Sequence, residues 1–499
     1  MNKLYNILFV SSLGIASSLS LVSCKKWLAE DPQSAIVTNQ YYQTADDAQS
    51  AVVGIYNYVH PPYDKQGYDD MPYSMMELVT GVYTNESQST FANEFYNLRY
   101  DPTCTDVAVW WDNCYQGIEA ANLAIAHIPG ITMDTADRNA LVGEARFLRA
   151  YFYYNLVNIF GPVPLKVTPT ADANAGNLPR SPVQDIYNQV IVPDLLFAEQ
   201  QPLNVTTSGN GRASIGAARA LLAKVYLSMA GVLQQTADYT LAASAANAVI
   251  QSGNYNLFQT DASTTWFNKL NNPAYDNTQE HIWMVNYLIN KSNSTVTVYF
   301  LPKQAIFTPF LQFGGFYPTN AFLASYPTGD LRGLSNQGFY YDSITVSGAT
   351  YHFPWAIYKF FDPGIIQNSP NSSKNFPLLR YADILLTYAE AQNEADGAPN
   401  AQSYTAVNSI RARSGLAPVT GLSQAAFRTE VWKERYWELS AENKIWFDIV
   451  RTGQIFDPSA GAFVPVVGHT VPSGATFTQA NLVFPIPASE VQINPLLGN

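Results

Sequence analysis

Residues 139–164 read NALVGEARFLRAYFYYNLVNIFGPVP, and their spacing sets the fold class of the whole chain. Leu141, Ala145, Leu148, Phe152, Leu156 and Ile159 recur at intervals of three and four, the period of one face of an α-helix. Gly161-Pro162 stops the pattern, as a C-terminal glycine followed by proline should. Upstream, residues 110–128 carry the same period and end at Pro129-Gly130, which predicts a helical hairpin. Residues 182–199 and 214–230 form a second pair, and the alanine-rich run 239–251 ends at Gly253. Helical text returns at 378–395, 403–414 and 425–442, with Gly397 and Gly415 closing the first two. Alanines recur where facing helices would meet (Ala120, Ala121, Ala145, Ala217, Ala218, Ala242, Ala243, Ala382, Ala389), and small side chains let backbones approach. A strict 34-residue repeat is absent. Periodicity alone therefore predicts a mainly α chain, an irregular solenoid of helical hairpins.

Residues 254–377 interrupt that text. Short β-leaning runs at 282–288, 295–300, 349–353 and 356–361 alternate with Gly, Pro, Asn and Ser turns, the mark of a large loop and short-strand insertion. After residue 453 the chain reads as extended and proline-containing.

The N-terminus decides where the molecule works. Residues 7–22 are apolar and small behind a single Lys3, and no acid appears before Glu30, the layout of a secretory signal. The run is shorter than the ~20 residues of a spanning helix. It ends in Leu21-Val-Ser-Cys24, which resembles a bacterial lipobox, so Cys24 is the expected first residue and site of diacylation. Lys25 and Lys26 then begin a solvated tether. Removing residues 1–23 takes away one lysine and no acid, leaving a net charge of −13. An acidic chain without a basic cluster is a poor partner for nucleic acid. Charged residues are only 13% of the chain and aromatics another 13%, a balance suited to neutral polar ligands. Cys104 and Cys114 are the remaining thiols. Export permits a disulfide, but on one helix ten residues would hold them about 15 Å apart, so their pairing stays open.

Several motifs, in order along the mature chain, resemble the SusD/RagB family of outer-membrane nutrient-binding lipoproteins. They are Lys26-Trp-Leu-Ala-Glu-Asp-Pro32, Tyr41-Tyr42 with Asp46-Asp47-Ala48, and Glu144-Ala-Arg-Phe-Leu-Arg-Ala150 running to Phe160-Gly-Pro-Val-Pro164. Tyr326-Pro-Thr-Gly-Asp330-Leu-Arg332, residues 379–391, Asn408-Ser-Ile-Arg-Ala-Arg-Ser-Gly415, Glu434-Arg435 to Asp448, and Pro485-Ile-Pro-Ala-Ser-Glu490 with Asn494-Pro495 complete the set. One departure is Glu442-Asn443-Lys444 where the family usually has Glu-Gly-Arg; asparagine tolerates a left-handed turn next best, so the bend is expected to survive. The resemblance implies a tetratricopeptide-like helical half, a variable half carrying ligand loops, and a SusC-like TonB-dependent transporter as partner at the outer membrane, facing the exterior. The expected division is 1–23 signal, 24–105 N-terminal segment with helices and ligand-side loops, 106–253 helical hairpins, 254–377 insertion, 378–453 helical hairpins and 454–499 extended C-terminal segment.

No catalytic or phosphate-binding fingerprint is present, and no Cys/His spacing suggests a metal. Asp69, Asp70, Asp330 and Glu77 are the carboxylates available to a hydrolase, although Asp330-Leu-Arg332 also predicts a local ion pair. Arg380, Asp383, Glu434 and Arg435 are read as bridges between helices, and Trp110, Trp111, Phe152, Tyr154, Trp283, Trp432 and Trp446 as core. A sugar ring needs an aromatic platform for its C–H face and amide, carboxylate or guanidinium partners for its hydroxyls. Two regions offer both: 71–99, with Tyr73, Tyr83, Asn85 and Arg99, and the insertion, with Tyr287, Phe316, Tyr317, Asn320 and Trp355. The expectation is non-enzymatic, cofactor-free capture of an oligo- or polysaccharide, with peptide capture and surface glycoside hydrolysis as rivals.

Overall fold

The computed structural model describes residues 41–60, 73–85, 93–172, 175–207, 211–288, 291–307, 314–364 and 372–498. Its longer helices are α1 (Ala45–Tyr56), α2 (Thr105–His127), α3 (Thr135–Phe160), α4 (Val192–Glu199), α5 (Ile215–Val232), α6 (Asp238–Gln251), α7 (Tyr381–Asp396), α8 (Ala401–Arg413), α9 (Gln424–Leu439) and α10 (Ile445–Thr452). The opening stretch is α3. The Asp134 carboxylate accepts from the amides of Ala136 (2.8 Å) and Asp137 (3.1 Å) at its start, and Gly161, at φ 71°, ends it. Helix α2 packs against it so closely that a Cβ at Gly117 would lie 2.3 Å from the Phe152 ring.

The solenoid continues through α4, α5 and α6, and α6 then packs on α7, α7 on α8 and α9, and α10 back on α5. Small residues mark the contacts, as the alanine positions predict. A Cβ at Gly231 of α5 would stand 2.3 Å from the Arg451 carbonyl oxygen of α10. Helix α5 is long and apolar enough to cross a membrane, yet most of it is buried among its neighbours, so its apolar character builds the core. The chain is a mainly α, tetratricopeptide-like helical-hairpin solenoid.

Successive packed helices α6 and α7 are separated in sequence by the insertion. Its ends are joined where His281–Val285 pairs antiparallel with Phe376–Arg380. Within it, Tyr340–Val346 and Ala349–Ile357 form a hairpin, and Tyr317–Pro318 pairs with Tyr83–Thr84 from the N-terminal segment. Three readings change. The β-branched run at 296–300 is the helix Val296–Phe300, all five residues buried: its packing overrides strand propensity. The runs 349–353 and 356–361 are not two strands: Ala349–Ile357 is one strand, bulged between the His352 and Ala356 pairs, and 358–361 lie beyond its end. The C-terminal segment is not wholly extended but holds the hairpin Gln454–Asp457/Ala462–Pro465 and the helix Ala488–Ile493.

Helix α9 stops at Leu439 rather than 442, because Ala441 (φ 62°) and Asn443 (φ 54°) turn the chain into α10. The bend survives the loss of glycine. Around it lies a buried charge network joining the helical half to the insertion. Arg332 binds Asp330 (2.7 Å), Glu434 (2.9 Å) and Glu438 (3.3 Å). Arg380 binds Glu442 (2.7 Å), Glu438 (3.0 Å) and Glu280, and Arg413 binds Glu280 (2.6 Å) and Glu438. Lys359 pairs with Glu442 and donates to the carbonyls of Glu438 (2.8 Å) and Ser440 (3.0 Å). Aromatic rings of the insertion cover it: Lys359 lies 4.0 Å from the Phe339 centroid, and the Arg413 guanidinium 4.5 Å from that of Trp266. Asp383 and Arg435 belong to a neighbouring set with Lys224 and Asp448.

Candidate functional site

Among the described residues of the insertion, the strand Ala349–Ile357 carries the most exposed aromatic side chain, Tyr351. Its pairing runs Ser343 to His352 and then Tyr341 to Ala356, so Phe353, Pro354 and Trp355 together oppose the single residue Asp342. Bulges of this kind re-aim side chains beside binding sites. Here Phe353 turns inward, Pro354 is exposed and Trp355 is half-buried against the core. Tyr351 stands 37% exposed nearer the hairpin tip, with exposed His352 beside it.

What backs this face is rigid. Tyr341 meets Phe353 and Tyr358 at 4.9 Å between ring centroids and Phe361 at 5.6 Å, and Phe307 meets Phe353 at 6.3 Å. Edge and tilted contacts of this sort hold rings in one arrangement. The strand packs beside Tyr317–Pro318, and two residues further on Asn320 opens the helix Asn320–Ser325 with its side chain exposed. Tyr351 and Trp355 thus share one bulged strand, and Asn320 follows the strand that packs beside it. Tyr351 escaped the sequence reading, although its place in a short alternating run between turns was a usable signal.

Most sequence-predicted ligand residues lie elsewhere. Tyr73 and Tyr83 are fully buried, and their hydroxyls reach the Ala441 carbonyl and the Ser440 hydroxyl at the α9–α10 turn. Asn85 is 3% exposed and donates to Asn93 Oδ1 (2.9 Å). Phe316 packs with Tyr73 and Phe300, Tyr317 accepts from the Lys303 amide, and Tyr287 lies against His60; all three are buried. These side chains join the N-terminal segment and insertion to the helical half, which no local pattern reveals. Arg99 is exposed, but it sits where Tyr100 and Leu98 bond Asn481 of the C-terminal segment. Cys24, Asp69 and Asp70 lie outside the described residues.

The remaining hydrolase carboxylates are structural. Asp330 is ion-paired inside the network, and Glu77 is fully buried, accepting from the Asn443 amide. Burial pushes the Glu77 carboxyl up to about 8, against the opposing effects of that hydrogen bond and of Lys359. A carboxyl raised from 4.5 in this way holds its proton in the folded state while the unfolded chain has lost it, so stability falls as pH rises from about 5 to 8. Glu77→Gln is expected to gain about 1–3 kcal/mol over the wild type at pH 8.5 and almost nothing at pH 4.5, read from urea midpoints.

Among the described residues no three His, Cys, Asp or Glu side chains are grouped as metal ligands. Cys104 immediately precedes α2, Cys114 lies within it, and the two thiols are free and buried. Of the tryptophans read as core, Trp110, Trp111, Trp283 and Trp446 are buried, while Trp432 is half-buried and donates to Glu390 (2.9 Å).

Comparison with known proteins gives two matching family descriptions. Residues 313–499 match the SusD family, and residues 26–227 match the family described as starch-binding and associating with the outer membrane. The chain is 34% identical to a SusD superfamily protein of Parabacteroides distasonis, over 93% of this chain and 99% of that one, with a TM-score of 0.85. A SusD-like protein of Formosa agariphila is 24% identical over 96% of this chain and 95% of its own. Surface glycan-binding protein A of Bacteroides uniformis shares the fold at 18% identity and a TM-score of 0.74, covering 91% of this chain and 99% of that one.

Proposed function

The chain belongs to the SusD family, and from that premise we propose that it is a lipid-anchored outer-membrane protein that captures a neutral oligo- or polysaccharide and delivers it to a SusC-like TonB-dependent transporter. It faces the exterior, holds its ligand non-covalently and performs no chemistry on it. The observation that carries this reading is the bulged strand: exposed Tyr351 and half-buried Trp355 flank Phe353, which packs into an aromatic layer, and exposed Asn320 follows the strand packed beside it. Rings fixed before binding lose little entropy when a sugar settles on them. The grip is modest, which suits hand-over to a pore, and the anchor keeps the binder near that pore at high effective concentration.

Calorimetry of the mature chain against a panel of polysaccharides and peptides, with product analysis of each mixture, tests it. Heat with a neutral glycan and no products is the expected result. Trp355→Ala and Tyr351→Ala should each weaken that binding about tenfold. Because the ligand is uncharged, raising NaCl should change affinity by less than about twofold. Binding of peptides alone, or turnover of any glycan, overturns the reading in favour of peptide capture or hydrolysis respectively.

A further inference from the structure

A second concavity lies on the helical half, where the insertion leaves α6 and returns to α7. It is an open groove of about 550 Å³. One wall is Gln402, Thr405 and Ser409 on α8; the other is Asn256 and Gln259 from the segment after α6, with Gln279 from the turn before His281. Leu257 and Leu385 give it apolar floor. The backbone amide of Asn256 donates to the Gln279 carbonyl (3.3 Å), which holds these two residues side by side.

Thr405 and Ser409 donate their hydroxyls to the Ala401 (3.0 Å) and Ala406 (2.8 Å) carbonyls of their own helix, but the groove's amides are less committed. Among the described residues, no side chain or backbone group pairs with the side-chain amides of Asn256, Gln259 or Gln279. Gln402 uses its amide nitrogen on Asn247 (2.7 Å) and keeps its carbonyl oxygen free. Tyr381 is 8% exposed and lines the groove, and among the described residues no hydrogen-bond partner meets its hydroxyl. Among its described lining residues the one cation, Lys269, is held by Asp261 (2.5 Å) and the Gln259 carbonyl (2.8 Å), so these residues present no net charge.

Several donors and acceptors without charge, above an apolar floor, match a ligand with many hydroxyls and C–H faces. We propose that this groove is a second binding site for a neutral oligosaccharide, separate from the hairpin face. It extends the proposed function, since a polymer held at two places on one chain dissociates far more slowly than from either alone.

The test uses the mature chain and neutral α-glucan, β-glucan, xylan and mannan fragments, titrated by calorimetry. Three variants accompany the wild type: Gln259→Ala/Gln402→Ala, which removes one exposed and one half-buried amide; Thr405→Trp, which fills the groove; and Trp355→Ala on the hairpin. Expected are two sites per wild-type chain for short fragments. Either groove variant should weaken one site at least about tenfold and leave the other unchanged, and Trp355→Ala should do the converse. One site, lost with Trp355→Ala and untouched by both groove variants, overturns the groove while the proposed function stands. Absence of glycan binding in every protein overturns both. Peptide binding that Thr405→Trp abolishes, with no glycan signal from the groove, overturns its assignment to carbohydrate.

Discussion

Arg380→Met should lower the stability of the protein by about 3–5 kcal/mol, the largest loss expected from any single substitution in the buried network. Arg380 is 1% exposed and serves Glu280, Glu438 and Glu442 at once. Five buried cations (Arg332, Lys359, Arg380, Arg411 and Arg413) face five buried carboxylates (Glu280, Asp330, Glu434, Glu438 and Glu442). A buried network of this kind adds little over a well-packed apolar core, but removing one member strands the others. The methionine fills the space and leaves three carboxylates short of a partner. A surface pair sets the contrast: Arg219 and Glu199, 3.4 Å apart and partly exposed, should cost under about 1 kcal/mol when Arg219 becomes alanine.

Acid probes the same network. Burial would raise the Glu438 carboxyl, but Arg413, Arg380, Arg332 and Lys359 together hold it well below the usual range. Burial likewise opposes, and Arg380 and Lys359 outweigh it, at Glu442. Carboxyls lowered in the folded state contribute stability above their unfolded pKa of about 4 and lose it as pH falls through the folded values. Urea midpoints of wild type and Arg380→Met, measured from pH 7 down to pH 3, should converge. A midpoint for Arg380→Met within about 1 kcal/mol of wild type at pH 7 would mean that the carboxylates are satisfied in some other way.

Cys24→Ala should move the protein from the membrane fraction to the soluble fraction. Each acyl methylene contributes about 0.8 kcal/mol, so two or more chains on one cysteine hold a protein on a bilayer essentially without release, whereas two lysines alone contribute about 1 kcal/mol each. Wild type should therefore resist a high-salt wash and leave only with detergent. Intact-mass analysis should find an acylated N-terminal Cys24 and no residues 1–23. If Cys24→Ala stays with the membrane, the apolar run 7–22 is itself the anchor, and the lipoprotein reading fails.

Residues 139–164 announced a helix in their own period, and Gly161 announced its end, because both depend on neighbours three or four residues away. The same holds for the solenoid as a whole, and for Asn443, whose tolerance of a left-handed turn is a property of the residue. Local chemistry is thus enough for element type and for the mainly α architecture. The run 296–300 shows the limit: its β-branched residues suggest a strand, yet a helix packs there. The site depended still less on local pattern. Tyr73, Tyr83 and Phe316 sit near turns as Tyr351 and Trp355 do, and sequence could not tell these buried rings from the exposed Tyr351 and the half-buried Trp355. Contacts hundreds of residues distant separated them, since the Tyr73 and Tyr83 hydroxyls reach the 440–441 turn while a bulge turns Trp355 to the half-buried edge of its hairpin. Periodicity is written into neighbouring residues and so determines the helices. Exposure depends on which distant backbone arrives to accept a hydroxyl, and only the tertiary structure decides that.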